Sequence, residues 1–233
     1  MHRFNRIVSC LATLGVFLTA FETASAGTIT GTVRAHGAEQ AAGAGDGGGQ
    51  YSSRRYKFLE RVDYEEMTDF VVYVDQPMTG EAPEATLRAA VAQRDGMFAP
   101  RVLAIAAGTT VNFPNEDDIF HNVFSISETQ PFDLELYKRG APAKEVTFFK
   151  PGRVDVFCSI HTQMNGIICV TPNTWFAKTD SRGRFTLPEL PAGTYTISIW
   201  HERMPKLTEK ITVGESEEIT KHFVAGLKSL PKL

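Results

Sequence analysis

Residues 146–170 read VTFFKPGRVDVFCSIHTQMNGIICV, two strand-like runs that flank a short loop. In the first run apolar and polar residues alternate, which is typical of a half-buried β-strand. Because the side chains of a strand point alternately to its two faces, Cys158 shares the apolar, core-facing side with Val154 and Val156. The second run, 166–170, is apolar almost throughout, as in a fully buried strand. The sequence therefore predicts a β-sheet domain with the Cys158 thiol pointing inward.

Three side chains that can bind metal follow one another at three-residue steps in this loop: Cys158, His161 and Met164. Because the loop is short, the three can converge on one point at the end of the sheet. A fourth donor, His121, lies at the start of another predicted strand, 123–126. Two imidazoles, a thiolate and a weak thioether are the ligands of a trigonal copper site with a long axial bond. Structural zinc sites favour four Cys or His ligands instead, so the sequence predicts one bound copper.

Short strands with turn residues between them are predicted on both sides of this loop, which is typical of a β-sandwich or barrel. Residues 84–93 have weak helical character, the Gly- and Ala-rich stretch 36–50 predicts a flexible loop, and no structure is assigned to 51–67. The predicted strands of this first part of the chain are 27–34, 70–74, 102–106, 109–113, 123–126, 145–149, 153–158 and 166–171.

A second, smaller β unit is predicted after Pro172. Turn signals at 180–183 and 191–193 separate segments in which apolar and polar residues alternate. The alternation is strict over 194–200 and places His201 on the apolar face. We therefore expect His201 to be a buried structural histidine rather than a metal ligand.

The composition is that of an ordinary folded protein. Of the 233 residues, 42% are apolar and 22% are charged, which argues against intrinsic disorder. The formal net charge of −3 leaves no basic footprint of the kind that nucleic-acid binding requires, so we expect no nucleic-acid partner. A local acidic run, Glu116, Asp117 and Asp118, is expected to be a solvated turn rather than a metal or partner site.

The N-terminus has the features of a secretory signal. They are the basic residues Arg3 and Arg6, an apolar run over 7–21, and the small residues Ala24, Ser25 and Ala26. A membrane anchor would need about 20 apolar residues, and this run is shorter. We expect residues 1–26 to be removed, so that the mature chain begins at Gly27. The protein is then expected to be periplasmic or otherwise secreted, with no stable membrane span.

Two cysteines remain in the mature chain, Cys158 and Cys169, and in an oxidising compartment they could form a disulfide. That bond would remove the thiolate and leave His161 and Met164 without a purpose at their spacing, so it is the second interpretation. If copper is bound, Cys169 is expected to be a small buried apolar residue. Gln163 is a rival to Met164 as the axial donor.

The quoted stretch, together with FAPRVLAIAAGTTVNFPNEDDIFHNVFSI at 98–126, resembles the cupredoxins, the blue copper proteins of the plastocyanin and amicyanin type. The short ligand loop looks most like the amicyanin arrangement. The resemblance implies that the backbone amide of Asn122 bonds the thiolate and that its side chain ties the ligand loops together. It also implies a Greek-key β-sandwich with one type 1 copper, bound by His121, Cys158, His161 and Met164.

Residues 173–202 resemble the carboxypeptidase-regulatory, transthyretin-like sandwich. The order of the two units is similar to secreted proteins called methylamine-utilization-like or plastocyanin-like. The expected fold is therefore all-β, a cupredoxin sandwich followed by a small regulatory-like sandwich. The expected boundaries are 1–26 for the signal peptide, 27–171 for the cupredoxin domain with its N-terminal strand and Gly/Ala-rich insertion, and 172–233 for the second domain.

The leading hypothesis is a one-electron carrier between periplasmic redox partners. The resemblance implies that His161 is the partly exposed ligand at the docking end. The alternative is a periplasmic copper-binding or copper-handling protein in which the metal is cargo. An enzyme is not expected. Oxygen-reducing copper oxidases need a further multi-histidine cluster, and the mature chain has five histidines and no His-x-His pair. Four protein ligands also leave no open position on the copper.

Overall fold

A computed structural model of the chain describes residues 26–36, 64, 67–79, 87–142 and 144–226. Within these ranges the protein is all-β, as predicted, and contains no helix, hence none that could cross a membrane. The seventeen strands are β1 (Gly27–His36), β2 (Val71–Val74), β3 (Arg88–Ala90), β4 (Ala92–Arg94), β5 (Met97–Ala99), β6 (Val102–Ala106), β7 (Thr109–Asn112), β8 (Phe124–Ser125), β9 (Phe132–Asp133), β10 (Glu145–Phe148), β11 (Gly152–Phe157), β12 (Asn165–Thr171), β13 (Phe176–Lys178), β14 (Arg184–Leu190), β15 (Gly193–His201), β16 (Met204–Val213) and β17 (Glu218–Gly226).

The first hydrophobic core contains Cys158 and Met164. A five-stranded sheet, in the order β6-β12-β11-β8-β9, shares it with a three-stranded sheet, β10-β7-β3. Strand β11 is central in the larger sheet, antiparallel to β12 on one side and to β8 on the other. Two sheets that face each other bury the alternate apolar side chains of each strand between them. The core includes Val111, Phe148, Val154, Val156 and Ile168.

A second core lies between the sheets β14-β1-β17 and β13-β2-β15-β16. Strands β1 and β2, which the boundaries predicted from the sequence assign to the first domain, are hydrogen-bonded to strands of this second unit. Strand β1 runs parallel to β17 and antiparallel to β14, and β2 lies between β13 and β15. The second unit therefore contains both ends of the described chain. Alternation predicts that a strand is half-buried, but it does not identify the strand with which it pairs.

The weak helical character of 84–93 does not become a helix in its described part, 87–93, which forms strands. Residues 88–90 pair with β7, and residues 92–94 form a hairpin with β5. Val91 and Gln93 are buried between exposed or half-buried neighbours, which is the period of a strand. The helix propensity of the alanines is weak compared with the hydrogen bonds and packing gained in the sheet.

The other strand predictions are confirmed apart from their ends. The run 123–126 contains only the two-residue strand β8. The sequence also predicts a strand at 210–213 in the second unit, and this run is the end of the longer β16. Strands β5, β9, β13 and β17 have no counterpart among the predictions. The predicted signal peptide, the loop 36–50 and the unassigned segment 51–67 lie largely outside the described residues.

The two units meet through a small apolar cluster. Val71 and Tyr73 of β2 pack there against Cys169 of β12. An ion pair adds to this contact, because the Arg101 guanidinium donates to both carboxylate oxygens of Glu202 at 2.6 and 2.9 Å. Cys169 pairs with Arg153 near the start of β11, whereas the loop 158–164 follows the end of that strand. The contact between the units therefore supports this loop only through the sheet.

Candidate metal centre

The Cys158 thiol points into the first core, as the alternation in β11 predicts. The residue follows the last residue of β11 and is 5% exposed, beside the buried Val154 and Val156. The loop after it folds back on itself. The Cys158 amide donates to the Met164 carbonyl at 3.2 Å, and the Met164 amide donates to the His161 carbonyl at 2.9 Å. These bonds close the loop and hold His161 over the end of the sheet.

His121 reaches the same point from the neighbouring strand. The residue precedes β8, which pairs with β11 through Phe124 and Phe157. Backbone hydrogen bonds also fix it to Tyr137, with the His121 amide donating at 3.1 Å and the Tyr137 amide donating back at 2.8 Å. The His121 side chain is fully buried. The pairing of β8 with β11 thus brings His121 and Cys158, which are far apart in the sequence, close together.

Three donor atoms form a compact triangle at this point. The Nδ1 atoms of His121 and His161 are 3.0 Å apart, and the Cys158 Sγ lies 3.9 Å from the first and 3.6 Å from the second. A point in their plane lies about 2 Å from all three, which is the length of a metal–nitrogen or metal–sulfur bond. Among the described residues, these three form a group of potential metal ligands. The size and chemistry of the triangle fit a copper ion.

Met164 is 1% exposed and packs in the same core cluster as Cys158. Gln163, the rival axial donor, is exposed. Its backbone carbonyl accepts a hydrogen bond from the Asn165 side chain at 3.0 Å. A buried thioether is better placed than an exposed amide to approach a buried ion. The role of Met164 as the axial ligand stays a prediction.

Asn122 joins the two ligand loops through its side chain. Its Oδ1 accepts hydrogen bonds from the amide of Ser159 at 2.7 Å and from the Ser159 hydroxyl at 3.0 Å. Its Nδ2 donates to Asp133 in β9 at 3.3 Å. The residue after His121 is thereby tied to the residue after Cys158. The hydrogen bond from the Asn122 amide to the thiolate remains a prediction.

Asp117 is a site residue that the sequence prediction missed. Its Oδ2 lies 2.8 Å from His121 Nε2, and the carboxylate also accepts hydrogen bonds from the amides of Asp95 and Gly96, at 2.8 and 3.0 Å. Burial raises the pKa of Asp117, but these three hydrogen bonds outweigh it, so the net pKa lies below the ordinary value. The expectation of a solvated turn is correct for the exposed Asp118 and wrong for Asp117. The only sequence signal is an aspartate four residues before a histidine.

One side of the site faces solvent. His161 is half-buried, in contrast to the fully buried His121. Large apolar side chains are exposed nearby in the sequence: Ile160 is 50% exposed, and Ile119 and Phe120 are 49% and 48% exposed. The Lys138 ammonium lies 4.7 Å from the centre of the Phe120 ring. The ring of His161 thus offers the accessible route to the metal position.

Cys169 and His201 are structural residues, as predicted. Cys158 and Cys169 are both free thiols, and Cys169 lies in the separate cluster between the two units. Burial raises the pKa of the Cys169 thiol to about 12. His201 is 8% exposed, its ring lies 4.7 Å from that of Phe70, and its Nδ1 accepts a hydrogen bond from the Arg203 amide.

No protein-family model and no curated protein matches the chain. Solved structures are similar to part of it. A purple cupredoxin from Nitrosopumilus maritimus is 27% identical over 36% of this chain and 99% of its own, with a TM-score of 0.32. A variant of amicyanin in the Cu(I) state is 21% identical over 42% of this chain and 97% of its own, with a TM-score of 0.34.

A Cu-containing nitrite reductase from Thermus scotoductus SA-01 is 34% identical over 41% of this chain, with a TM-score of 0.34, and the match spans 25% of that enzyme. Part of this chain is therefore similar to cupredoxins and to a copper enzyme. Because these similarities are partial, the three donor atoms carry the assignment of a metal centre.

Proposed function

We propose that this protein is a secreted type 1 copper protein that carries single electrons between redox partners in the periplasm or another exported compartment. The observation that carries the proposal is the buried triangle of two imidazole nitrogens and one thiol sulfur, contributed by His121, His161 and Cys158. Such a ligand set is characteristic of blue-copper electron-transfer sites. We also propose that residues 1–26 are removed on export, so that the mature protein begins at Gly27.

His121, Cys158 and His161 would hold the copper, with Met164 as the weak axial ligand. The bound ion would supply a one-electron couple. The protein holds the donors in place before any electron moves, because Asn122 ties the two ligand loops and the loop after β11 is closed by its own backbone hydrogen bonds. A fixed donor set that suits both oxidation states needs little rearrangement on electron transfer.

The half-exposed His161 is the proposed point of electron exit. Exposed Ile119, Phe120 and Ile160 give this end of the protein an apolar surface, and Lys138 adds a positive charge beside it. Exposed apolar side chains of this kind suit brief contacts with a redox protein.

A periplasmic copper-handling protein is the second candidate, in which the same ligands hold the metal as cargo. The full burial of His121 and the near-complete burial of Cys158 favour retention of the ion over release. We propose no enzymatic activity, since three donors and a buried thioether leave no open position for a substrate. We also propose that the second unit is a regulatory-like sandwich, which the resemblance of 173–202 supports.

The test is the visible spectrum of the purified protein after addition of Cu(II). We expect one copper per chain and an intense absorption band from charge transfer between the thiolate and Cu(II). Cys158→Ser should abolish the band, and the matched control Cys169→Ser should keep it, because Cys169 is outside the site. A spectrum with only weak bands, or one that Cys169→Ser removes, would contradict the proposal.

A further inference from the structure

The Asp117 carboxylate is held in place by contacts that do not involve His121. The amides of Asp95 and Gly96 donate to its two oxygens from the turn between β4 and β5. Both turn residues have positive φ, 54° and 68°, as in the tight hairpin turn of a right-twisted strand pair. The Asp117 amide in turn donates to Asn115 Oδ1 at 2.9 Å. The carboxylate is therefore a fixed acceptor rather than a mobile side chain.

This fixed acceptor determines which nitrogen of His121 carries hydrogen. A carboxylate only accepts, so His121 Nε2, at 2.8 Å from Asp117 Oδ2, must be the donor. In a neutral imidazole the other nitrogen then has a free lone pair. That nitrogen, Nδ1, faces His161 Nδ1 at 3.0 Å and Cys158 Sγ at 3.9 Å. The hydrogen bond between the two imidazoles is satisfied when His161 is the donor.

We propose that Asp117 is a positioning residue of the metal site, which fixes the Nε2–H tautomer and the ring orientation of His121 before metal binds. The proposal rests on the metal-site part of the proposed function and is independent of electron transfer. Since the His121 ring is fully buried, water cannot replace the carboxylate as acceptor without rearrangement. Loss of such a partner of a metal-bound histidine typically lowers metal affinity by about 10–100-fold.

The variant to test is Asp117→Asn, which keeps the size of the side chain. The Asp117 carboxylate accepts from Asp95, Gly96 and His121 with its two oxygens. An asparagine has one acceptor oxygen and an NH₂ group that only donates, so it cannot accept all three hydrogen bonds in the same positions. Asp118→Asn is the matched control, because it removes the same charge at the next residue, whose side chain is 85% exposed and pairs with Arg139.

The first measurement is the ¹⁵N NMR spectrum of the histidine rings in the metal-free protein at pH 8, above the ordinary imidazole pKa of about 6.5. We expect His121 to be the Nε2–H tautomer in the unaltered protein and in Asp118→Asn. In Asp117→Asn we expect a substantial population with hydrogen on Nδ1. An Nδ1–H tautomer in the unaltered protein would overturn the proposal even if Asp117→Asn failed to fold.

The second measurement is the affinity for Co(II), a redox-silent probe under these conditions. We expect Asp117→Asn to bind Co(II) about 10–100-fold more weakly and Asp118→Asn to bind as the unaltered protein does. Equal affinities in all three proteins would overturn the proposal. A copper protein that binds as expected but fails to cycle would refute the electron-carrier function and leave this inference intact.

Discussion

The two mature cysteines differ in chemistry because of what surrounds them. The sulfur of Cys158 lies within 3.6 and 3.9 Å of two imidazole nitrogens, whereas Cys169 packs against Val71 and Tyr73. Burial raises the pKa of Cys169 to about 12, so its thiolate is scarce at neutral pH. Metal binding and redox chemistry therefore belong to Cys158, and Cys169 acts as a small apolar side chain.

Thiol titration of the metal-free protein, kept from air, tests this difference. We expect two reactive thiols after unfolding. In the folded protein at pH 8 we expect Cys169 to stay unreactive, because it is buried and protonated. The Cys158→Ser variant isolates Cys169 for this measurement. Absence of reactive thiols after unfolding would support the disulfide alternative instead.

Substitution of Met164 tests whether this residue only tunes the reduction potential of the copper or is needed to hold the ion. Met164→Leu keeps the volume of a side chain that is 1% exposed, so the free energy of unfolding should fall by less than about 1.5 kcal/mol. An axial thioether bonds weakly and tunes the potential, so we expect the variant to keep copper and to shift its reduction potential. Loss of copper as complete as in Cys158→Ser would mean that Met164 is a strong ligand and that the trigonal assignment is wrong.

At the scale of elements, local patterns could be predicted and long-range pairing could not. Alternation along β11 is a property of neighbouring residues, so it correctly orients Cys158. The three-residue steps also predict the closed ligand loop. The Asp117 contact depends on the β4–β5 turn at 95–96, which directly follows the segment with weak helical character, and no predicted strand on either side of this turn could place the contact. Strand β1 pairs with β17 at the other end of the described chain, and no local signal encodes that choice.

Asn122→Ala would remove the hydrogen bonds that link the two ligand loops. The substitution deletes two hydrogen bonds to Ser159 and one to Asp133, each contributing about 1 kcal/mol, so the free energy of unfolding should fall by about 2–3 kcal/mol. Copper should also dissociate faster, because the loops separate more easily. The control is Asn165→Ala, which removes an exposed side chain that donates to the Gln163 backbone carbonyl. Equal stability and copper release in both variants would contradict the role of Asn122.

At the scale of the whole molecule, the two units are joined by an apolar cluster and by the Arg101–Glu202 pair. Next to Glu202, His201 ends strand β15, and its ring packs against that of Phe70 in a tilted arrangement. Burial lowers the pKa of His201, and the opposing pull of Glu202 is smaller. The neutral imidazole is therefore the form that the folded protein prefers, which connects the stability of the second unit to pH.

The sign of this pH dependence follows from linkage. Because the folded pKa of His201 lies below its unfolded value of about 6.5, the unfolded state binds more protons and is favoured as pH falls. The contribution of His201 is present above about pH 6.5 and is lost below it. We expect the metal-free protein to lose more stability between pH 7.5 and 5.5 than the His201→Asn variant does, measured by denaturant unfolding. The exposed His222 provides the control, since His222→Asn should not reduce the loss. An unchanged pH dependence in His201→Asn would contradict this account.

The central claim is that the copper stays in place while single electrons pass. Protein-film voltammetry, with the copper content measured before and after many oxidation–reduction cycles, tests it most directly. We predict a reversible one-electron wave, an unchanged midpoint potential and one copper per chain at the end, because His121, Cys158 and His161 are fixed by the fold around the ion. Loss of copper on reduction, with a wave that decays from cycle to cycle, would contradict the claim and favour a copper-handling protein.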